Sequence, residues 1–261
     1  MIKVLVSGSG KMGREVLTAV ARQPDMEGVG CVDGLTHEEY ISVPGSELIP
    51  FGSDPAVMIS RVRPDVIVDF TTADWTPKLA KAALEAGVRL VIGTSGLSDA
   101  FKRELEAECA KRSLGAIVAP NFALGAVLMQ QMARLASKYY DHAEIIEMHH
   151  EQKIDAPSGT SIATANAMAE ARGKPFSVPP TEKETIKGTR GGQQGGITVH
   201  SVRLPGLVAH QEVIFGAPGE TLTVRHDTFD RVSFMPGVML AVREVMGLDR
   251  LVVGLDRLID K

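Results

Sequence analysis

His149, His150 and Lys153 stand just ahead of Ser158-Gly159-Thr160, so proton-transfer groups, a cation and a candidate anion site share one short segment. Histidine titrates near neutrality, and a lysine ammonium can hold an anionic group or deliver a proton. Residues 143–148 read as a strand, which puts both histidines where a strand yields to a loop, a frequent place for reacting side chains. Pro157 closes that loop, and the alanine-rich residues 161–172 have high helix propensity, with a Ser or Thr as cap. The free N–H groups and positive dipole end of such a helix suit a carboxylate or phosphate, and Gly159 lets a ligand approach the backbone. Taken singly, these are a pair of surface histidines, a solvated lysine and a helix cap. Taken together they read as an active site for an anionic substrate, with a carboxylate expected at the helix start.

The amino-terminal residues indicate what that site works with. Residues 2–6 form an apolar strand, and Gly8, Ser9, Gly10, Lys11, Met12 and Gly13 follow with G-x-G-x-x-G spacing. In a dinucleotide fingerprint the first glycine makes the tight turn, the second lets the backbone approach a pyrophosphate, and the third allows close helix packing. Met12, Val16, Ala19 and Val20 recur at helical spacing, so a helix is expected directly after the turn. Asp33 stands twenty residues after Gly13 at the end of another apolar strand, where a carboxylate accepts hydrogen bonds from an adenosine ribose. That favours NADH over NADPH, because a 2′-phosphate would meet a like charge and Gly34 supplies no cation. Lys11 and Arg14 lie close in sequence, so use of both cofactors stays open.

Composition bounds the alternatives. With 261 residues, 44% of them apolar, the chain can bury one large core or two modest ones. A net charge of −4 offers no basic face for nucleic acid, and polar interruptions leave no run able to span a membrane. The first strand begins at residue 2 with no secretory pattern, so a cytoplasmic location is expected. Cys31 and Cys109 lack metal-site spacing and read as buried reduced thiols. No metal site is expected, since the adjacent rings of His149 and His150 point apart and no third ligand is spaced to join them.

The elements that must position these groups alternate at first. Residues 66–70, 88–92 and 115–119 read as buried parallel strands, with helices at 77–86 and 98–112 between them. Their ends deliver Thr71, then Gly93, Thr94 and Ser95, then Ala119, Pro120, Asn121 and Phe122; ligands bind outside such carboxyl ends. The pattern then changes to a helix over 125–140, the His149 strand, the capped helix, and a polar stretch over 174–196 read as a flexible loop. Its Gly-rich residues 187–196 suit either a flap over the substrate or an ordinary disordered loop. Residues 197–204, 208–217 and 221–227, separated by Pro-Gly turns, suggest an antiparallel meander whose face a partner subunit could cover. A helix over 235–246 and a Leu/Val-rich tail finish the chain.

These residues resemble the 4-hydroxy-tetrahydrodipicolinate reductases of the diaminopimelate route to lysine. The likeness runs from Gly8-Ser9-Gly10-Lys11-Met12-Gly13 through Asp69-Phe70-Thr71, Gly93-Thr94-Ser95-Gly96 and Pro120-Asn121-Phe122 to the specific run from His149 to Thr160. It implies an α/β chain: a Rossmann-type dinucleotide domain over 1–121 and 232–261, and an α+β substrate and tetramerisation domain over 122–231 with a largely antiparallel open sheet. It implies hydride transfer from NADH or NADPH to a cyclic imine dicarboxylate by a homotetramer. Carried over residue by residue, His149 is the acid/base, Lys153 a proposed proton donor, and His150, Gly159 and Thr160 bind substrate. Gly8 to Gly13, Asp33, Gly93 to Ser95 and Ala119 to Phe122 line the cofactor. Two departures, Gly34 and Lys11 where some members carry arginine, bear on cofactor preference. Whether Lys153, His149 or water protonates the ring, and whether loss of the substrate hydroxyl is catalysed here, stay open.

Two other readings compete. Another NAD(P)-dependent dehydrogenase of a small dicarboxylate would share the first domain without requiring the His-His-x-x-Lys to Ser-Gly-Thr spacing. A non-catalytic dinucleotide sensor would need no proton donor opposite an anion site.

Overall fold

Val4, Leu5 and Val6 are fully buried, which is why the centre of β1 (Ile2–Ser7) reads as an apolar run. The structure, a computed structural model, describes residues 1–45 and 47–259. After β1 come α1 (Lys11–Ala21) and β2 (Met26–Val32). α1 buries Gly13, Val16, Leu17 and Val20, so its inward stripe is turned slightly from the expected one, leaving Met12 and Ala19 half-buried. The Gly- and Pro-containing stretch that follows holds more structure than its composition suggested: β3 (Tyr40–Ile41), β4 (Ile49–Gly52) and α2 (Pro55–Val62). Asp54 caps α2 by accepting from the Val57 N–H at 3.0 Å, and Pro55 occupies its first turn, where no donor is needed. The alternation continues through β5 (Val66–Asp69), α3 (Thr76–Glu85), β6 (Arg89–Ile92), α4 (Asp99–Arg112) and β7 (Ala116–Val118).

The next compact unit spans Gly125–Ser233. It contains nearly all of α5 (Leu124–Ala136), then β8 (His142–His149), α6 (Gly159–Arg172), β9 (Gly192–Gln194), β10 (Ile197–Arg203), β11 (Ala209–Ala217) and β12 (Glu220–Thr228). The sheet order is β12-β11-β8-β10-β9. The expected meander is therefore corrected: β8 lies between β10 and β11, parallel to the first and antiparallel to the second. Of the three strands expected in that meander, only β11 and β12 pair with each other as a hairpin. Ala143, Ile145, Ile197, Val199, Val213 and Phe215 share a core with Ala133 and Ala136 of α5 and Ala165 and Met168 of α6, so the helices cover one sheet face. The polar stretch is also more ordered than expected. Gly192–Gln194 pairs with β10, Glu184 accepts from the N–H groups of Gly188 and Arg190, and Arg190 reaches Glu144 at 2.5 Å.

From Phe234 the chain rejoins the unit that holds Met1–Leu124. The compact units thus divide at 124/125 and 233/234, against the expected 121/122 and 231/232; residues 260–261 lie outside the described residues. α7 (Met235–Val245) buries Val238, Met239, Ala241, Val242 and Val245, and a Cβ on Gly237 would stand 2.0 Å from the Phe122 carbonyl oxygen. β13 (Leu251–Val253) then pairs parallel to β7, and α8 (Asp256–Ile259) follows. The completed sheet has the order β13-β7-β6-β5-β1-β2-β4-β3, parallel except for the short β3–β4 pair. β1 sits between β5 and β2, so the order reverses there, and the crevice at such a switch point is where open α/β sheets bind ligands.

Candidate active site

The turn after β1 has the three properties a pyrophosphate cradle needs. Gly8 has φ +103°, and a Cβ there would stand 2.8 Å from the Phe70 carbonyl oxygen. A Cβ on Gly13 would fall 1.8 Å from the Gly8 carbonyl oxygen, so only glycine permits this packing of α1 on the turn. A Cβ on Gly10 would meet no described atom within 4 Å, leaving the backbone open to an incoming group. Gly10 is also the N-cap of α1 and gives no side-chain cap bond, so first-turn N–H groups face that opening without a cap. These residues fit a dinucleotide. Lys11 is exposed in the first turn, and Met12 is half-buried behind it.

Asp33 follows β2, and its carboxylate accepts from the Ser9 N–H at 2.8 Å, the Ser9 hydroxyl at 2.7 Å and the Leu35 N–H at 3.1 Å. Burial pushes its pKa up, but the bonds from Ser9 and Leu35 outweigh this and hold it below the usual carboxylate value. Arg14 donates Nε to the Ser9 carbonyl at 3.1 Å. Among the turns that follow β5, β6 and β7, the side chains serve the fold as much as a ligand. Thr94 is buried and donates to Asp69 at 2.9 Å while accepting from the Thr71 N–H at 3.0 Å, so its backbone is what a cofactor could meet. Gly93 lies against the Phe70 ring, Ser95 is exposed beside it, and Phe122 is 2% exposed with its ring 5.5 Å from that of Phe70. Ala119 is buried, Pro120 is exposed, and Asn121 accepts from the Ala123 N–H at 2.9 Å. Sequence reasoning gave no role to Asp69, a fully buried carboxylate that accepts from the hydroxyls of Thr71, Thr76 and Thr94 and ties these turns together.

In the second unit the reactive residues gather at the end of β8. Side chains alternate along a strand, so Glu147 and His149 share the face that carries Ala143 and Ile145, under the helices. His149 Nδ1 lies 2.5 Å from Glu147 Oε2. Glu147 is fully buried and also accepts two bonds from Arg203, at 2.9 and 2.7 Å, and one from the Ser158 N–H at 3.2 Å. Burial raises its pKa, but bonds from Arg203, Ser201 and His149 prevail and keep it below the usual range. For His149, burial is the largest influence and lowers the pKa; Glu147 raises it, Lys153 and Arg203 lower it further, and the net direction is down. The ring is therefore neutral at pH 7. His150 is exposed on the opposite side of the pleat, and its carbonyl accepts from the Lys153 N–H.

Ser158 caps α6 by accepting from the Ser161 N–H at 3.2 Å, which leaves the first-turn amides of Gly159 and Thr160. Both residues are exposed, and a Cβ on Gly159 would meet no described atom within 4 Å. Lys153 Nζ donates to Asp155 Oδ1 at 2.7 Å, and the Asp155 carboxyl is held below its usual pKa by Lys153 first and also by the Gly159 amide. That ion pair places the Lys153 ammonium and a carboxylate in the segment that leads into the first turn of α6. α6 is anchored from behind by buried polar contacts: Ser161 Oγ donates to Gln211 Oε1 at 2.6 Å, and Gln211 Nε2 donates to Thr164 at 2.9 Å. Among the described residues no group of three or more His, Cys, Asp or Glu could hold a metal ion, and no helix is long and apolar enough to cross a membrane.

Comparison with known proteins matches both halves of this arrangement. The family model described as the dihydrodipicolinate reductase N-terminus covers residues 2–122, and that of the C-terminus covers 125–259. The chain belongs to the dihydrodipicolinate reductase family. A 4-hydroxy-tetrahydrodipicolinate reductase of Dehalococcoides mccartyi is 47% identical over 99% of this chain and 98% of its own length. One from Bacillus subtilis is 44% identical over 99% and 98%. The solved structure of a dipicolinate-bound dihydrodipicolinate reductase from Paenisporosarcina sp. TG-14 is 42% identical with a TM-score of 0.90, over 98% of this chain and 99% of that one. Membership of the dihydrodipicolinate reductase family makes this chain an NAD(P)H-dependent oxidoreductase with a Rossmann-type sheet and a second, mostly antiparallel sheet.

Proposed function

We propose that this chain reduces 4-hydroxy-tetrahydrodipicolinate, a cyclic imine dicarboxylate, to tetrahydrodipicolinate in lysine biosynthesis through diaminopimelate. The observation that carries this is that Lys153, whose ammonium holds a carboxylate at 2.7 Å, and the exposed first turn of α6 at Gly159 and Thr160 lie in the segment that follows the Glu147-bound His149. A substrate carboxylate takes the place of the Asp155 group there, and His150 and Thr160 line the same substrate. When bound, the reduced nicotinamide supplies the hydride. The turns from Gly8 to Gly13, with Asp33, hold the dinucleotide, and those at Gly93 to Ser95 and Ala119 to Phe122 serve its nicotinamide end.

The protonation step falls to Lys153. A neutral His149 with its proton on Nδ1 has no proton to give at Nε2 and acts as acceptor at neutral pH. NADH is preferred over NADPH, a reading supported by the ionised Asp33 and the lack of a side chain at Gly34. Homotetramer formation is supported by the second sheet, whose helix-free face carries half-buried Ile146, Met148, Val202 and Ile214. The enzyme acts in the cytoplasm, where free thiols such as buried Cys31 and Cys109 persist. Light scattering reports the assembly directly. The catalytic assignment is tested with Lys153→Ala: NADH affinity measured by calorimetry stays near wild type, while turnover falls at least about 100-fold. Equal turnover by the variant would overturn it.

A further inference from the structure

Glu147 does not belong to the groups that meet a substrate, yet it makes more bonds than any of them. Its two oxygens take His149 Nδ1 at 2.5 Å, both terminal nitrogens of Arg203 at 2.9 and 2.7 Å, and the Ser158 amide at 3.2 Å. Arg203 Nη2 in turn donates to the Asp155 carbonyl at 2.8 Å. This pair therefore grips the segment between β8 and α6 at His149, at Asp155 and at Ser158, while both partners sit on neighbouring strands whose register is set by the β8–β10 ladder. We propose that Glu147, fixed by Arg203, is the positioning residue of this site: it holds His149 as the Nδ1-protonated tautomer and sets the start of α6 against the same strand end.

An ionised carboxylate only accepts, so the ring nitrogen facing it must carry the proton, and Nε2 is left with its lone pair. Without this partner the imidazole is free to exchange tautomers and to rotate. Arg203 matters because a lone buried carboxylate would take up a proton and could then no longer dictate which nitrogen is protonated. The groups acting on His149 are Glu147 on its own strand, Arg203 on β10 and Lys153 in the following loop. Removing the carboxylate deletes the influence that favours the charged ring and leaves burial, Arg203 and Lys153, all of which oppose it.

The idea rests on His149 as the acid/base group and is tested on two levels. In the unaltered enzyme, ¹⁵N NMR of labelled histidine should find His149 in the Nδ1–H form at neutral pH; the Nε2–H form, or a mixture, overturns the proposal whether or not any variant folds. In Glu147→Gln, kcat should fall about 10- to 100-fold, the range seen when a partner behind an active histidine is removed. KM for the dicarboxylate should move by less than about threefold, since no substrate contact is lost. The His149 titration should shift to lower pH, and Arg203→Lys should give an intermediate kcat. A folded Glu147→Gln enzyme with wild-type kcat and an unmoved His149 titration contradicts the role. Full turnover by His149→Ala would instead remove the acid/base assignment, leaving the NMR result to judge Glu147 separately.

Discussion

The indole of Trp75 lies against the backbone of Gly34, so near that a Cβ on Gly34 would stand 2.5 Å from its ring. Trp75 is held there by its Nε1 bond to Ser7 Oγ at 3.0 Å, with Lys78 Nζ 5.3 Å from the ring centroid. The residue after the ribose-binding acid is a natural place for an arginine that accepts a 2′-phosphate. In this chain a side chain there collides with a fixed aromatic ring.

Gly34→Arg alone should therefore lower Tm and fail to improve use of NADPH. Trp75→Ala/Gly34→Arg should shift the NADPH-to-NADH ratio of kcat/KM about tenfold towards NADPH, worth roughly 1.4 kcal/mol. Steady-state rates with both cofactors check this, and an equal gain in the single variant would show that Trp75 is no barrier.

Gly10 and Gly13 should separate binding from folding. Gly13→Ala drives a Cβ to 1.8 Å from a carbonyl oxygen and should cost several kcal/mol or prevent folding, as overpacking does at its upper end. Gly10→Ala has room and an extended backbone, φ −70° and ψ −169°, so Tm should hold while KM for NADH rises about tenfold or more. Thermal melts paired with cofactor titrations distinguish the two.

The same separation applies to Gly159 at the proposed substrate site. Open space surrounds its Cβ position in the first turn of α6, so Gly159→Ala should leave stability unchanged or raise it by about 0.4–1 kcal/mol. The added methyl should still weaken binding of the proposed dicarboxylate substrate, seen as a raised KM. Ser158→Ala should do the reverse first, losing a cap worth about 1 kcal/mol.

Glu147 predicts an acid dependence with a definite sign. Its folded pKa lies below the unfolded value of about 4.3, so the stability it confers is fully present above that pH and is lost as pH falls through the folded value. Glu147→Gln, which leaves Arg203 without its carboxylate, should be less stable at pH 7 by roughly 3 kcal/mol. That gap should narrow as melts are taken from pH 7 towards pH 3; a constant gap would contradict the linkage.

Local chemistry was legible before the fold was. The glycine turn announced its three roles because each depends on residues adjacent in sequence, and the cap at Ser158 did so for the same reason. The short helix after Asp54 had a readable signal, an Asp-Pro start, that the surrounding glycines and prolines obscured. Glu147 had none: within the strand it looks like an ordinary alternating residue, and the partner that explains it, Arg203, is 56 positions away. The insertion of β8 between β10 and β11 is likewise a choice among sheet orders that hairpin signals do not rank, since turn residues report only neighbours in sequence.

The most direct test of the account follows nicotinamide absorbance when purified enzyme meets freshly generated 4-hydroxy-tetrahydrodipicolinate with NADH or, separately, NADPH. Rapid oxidation that is faster with NADH and is abolished in Lys153→Ala is the predicted result. Cofactor that binds but is not oxidised, under conditions where a known reductase of this family turns over, would contradict it.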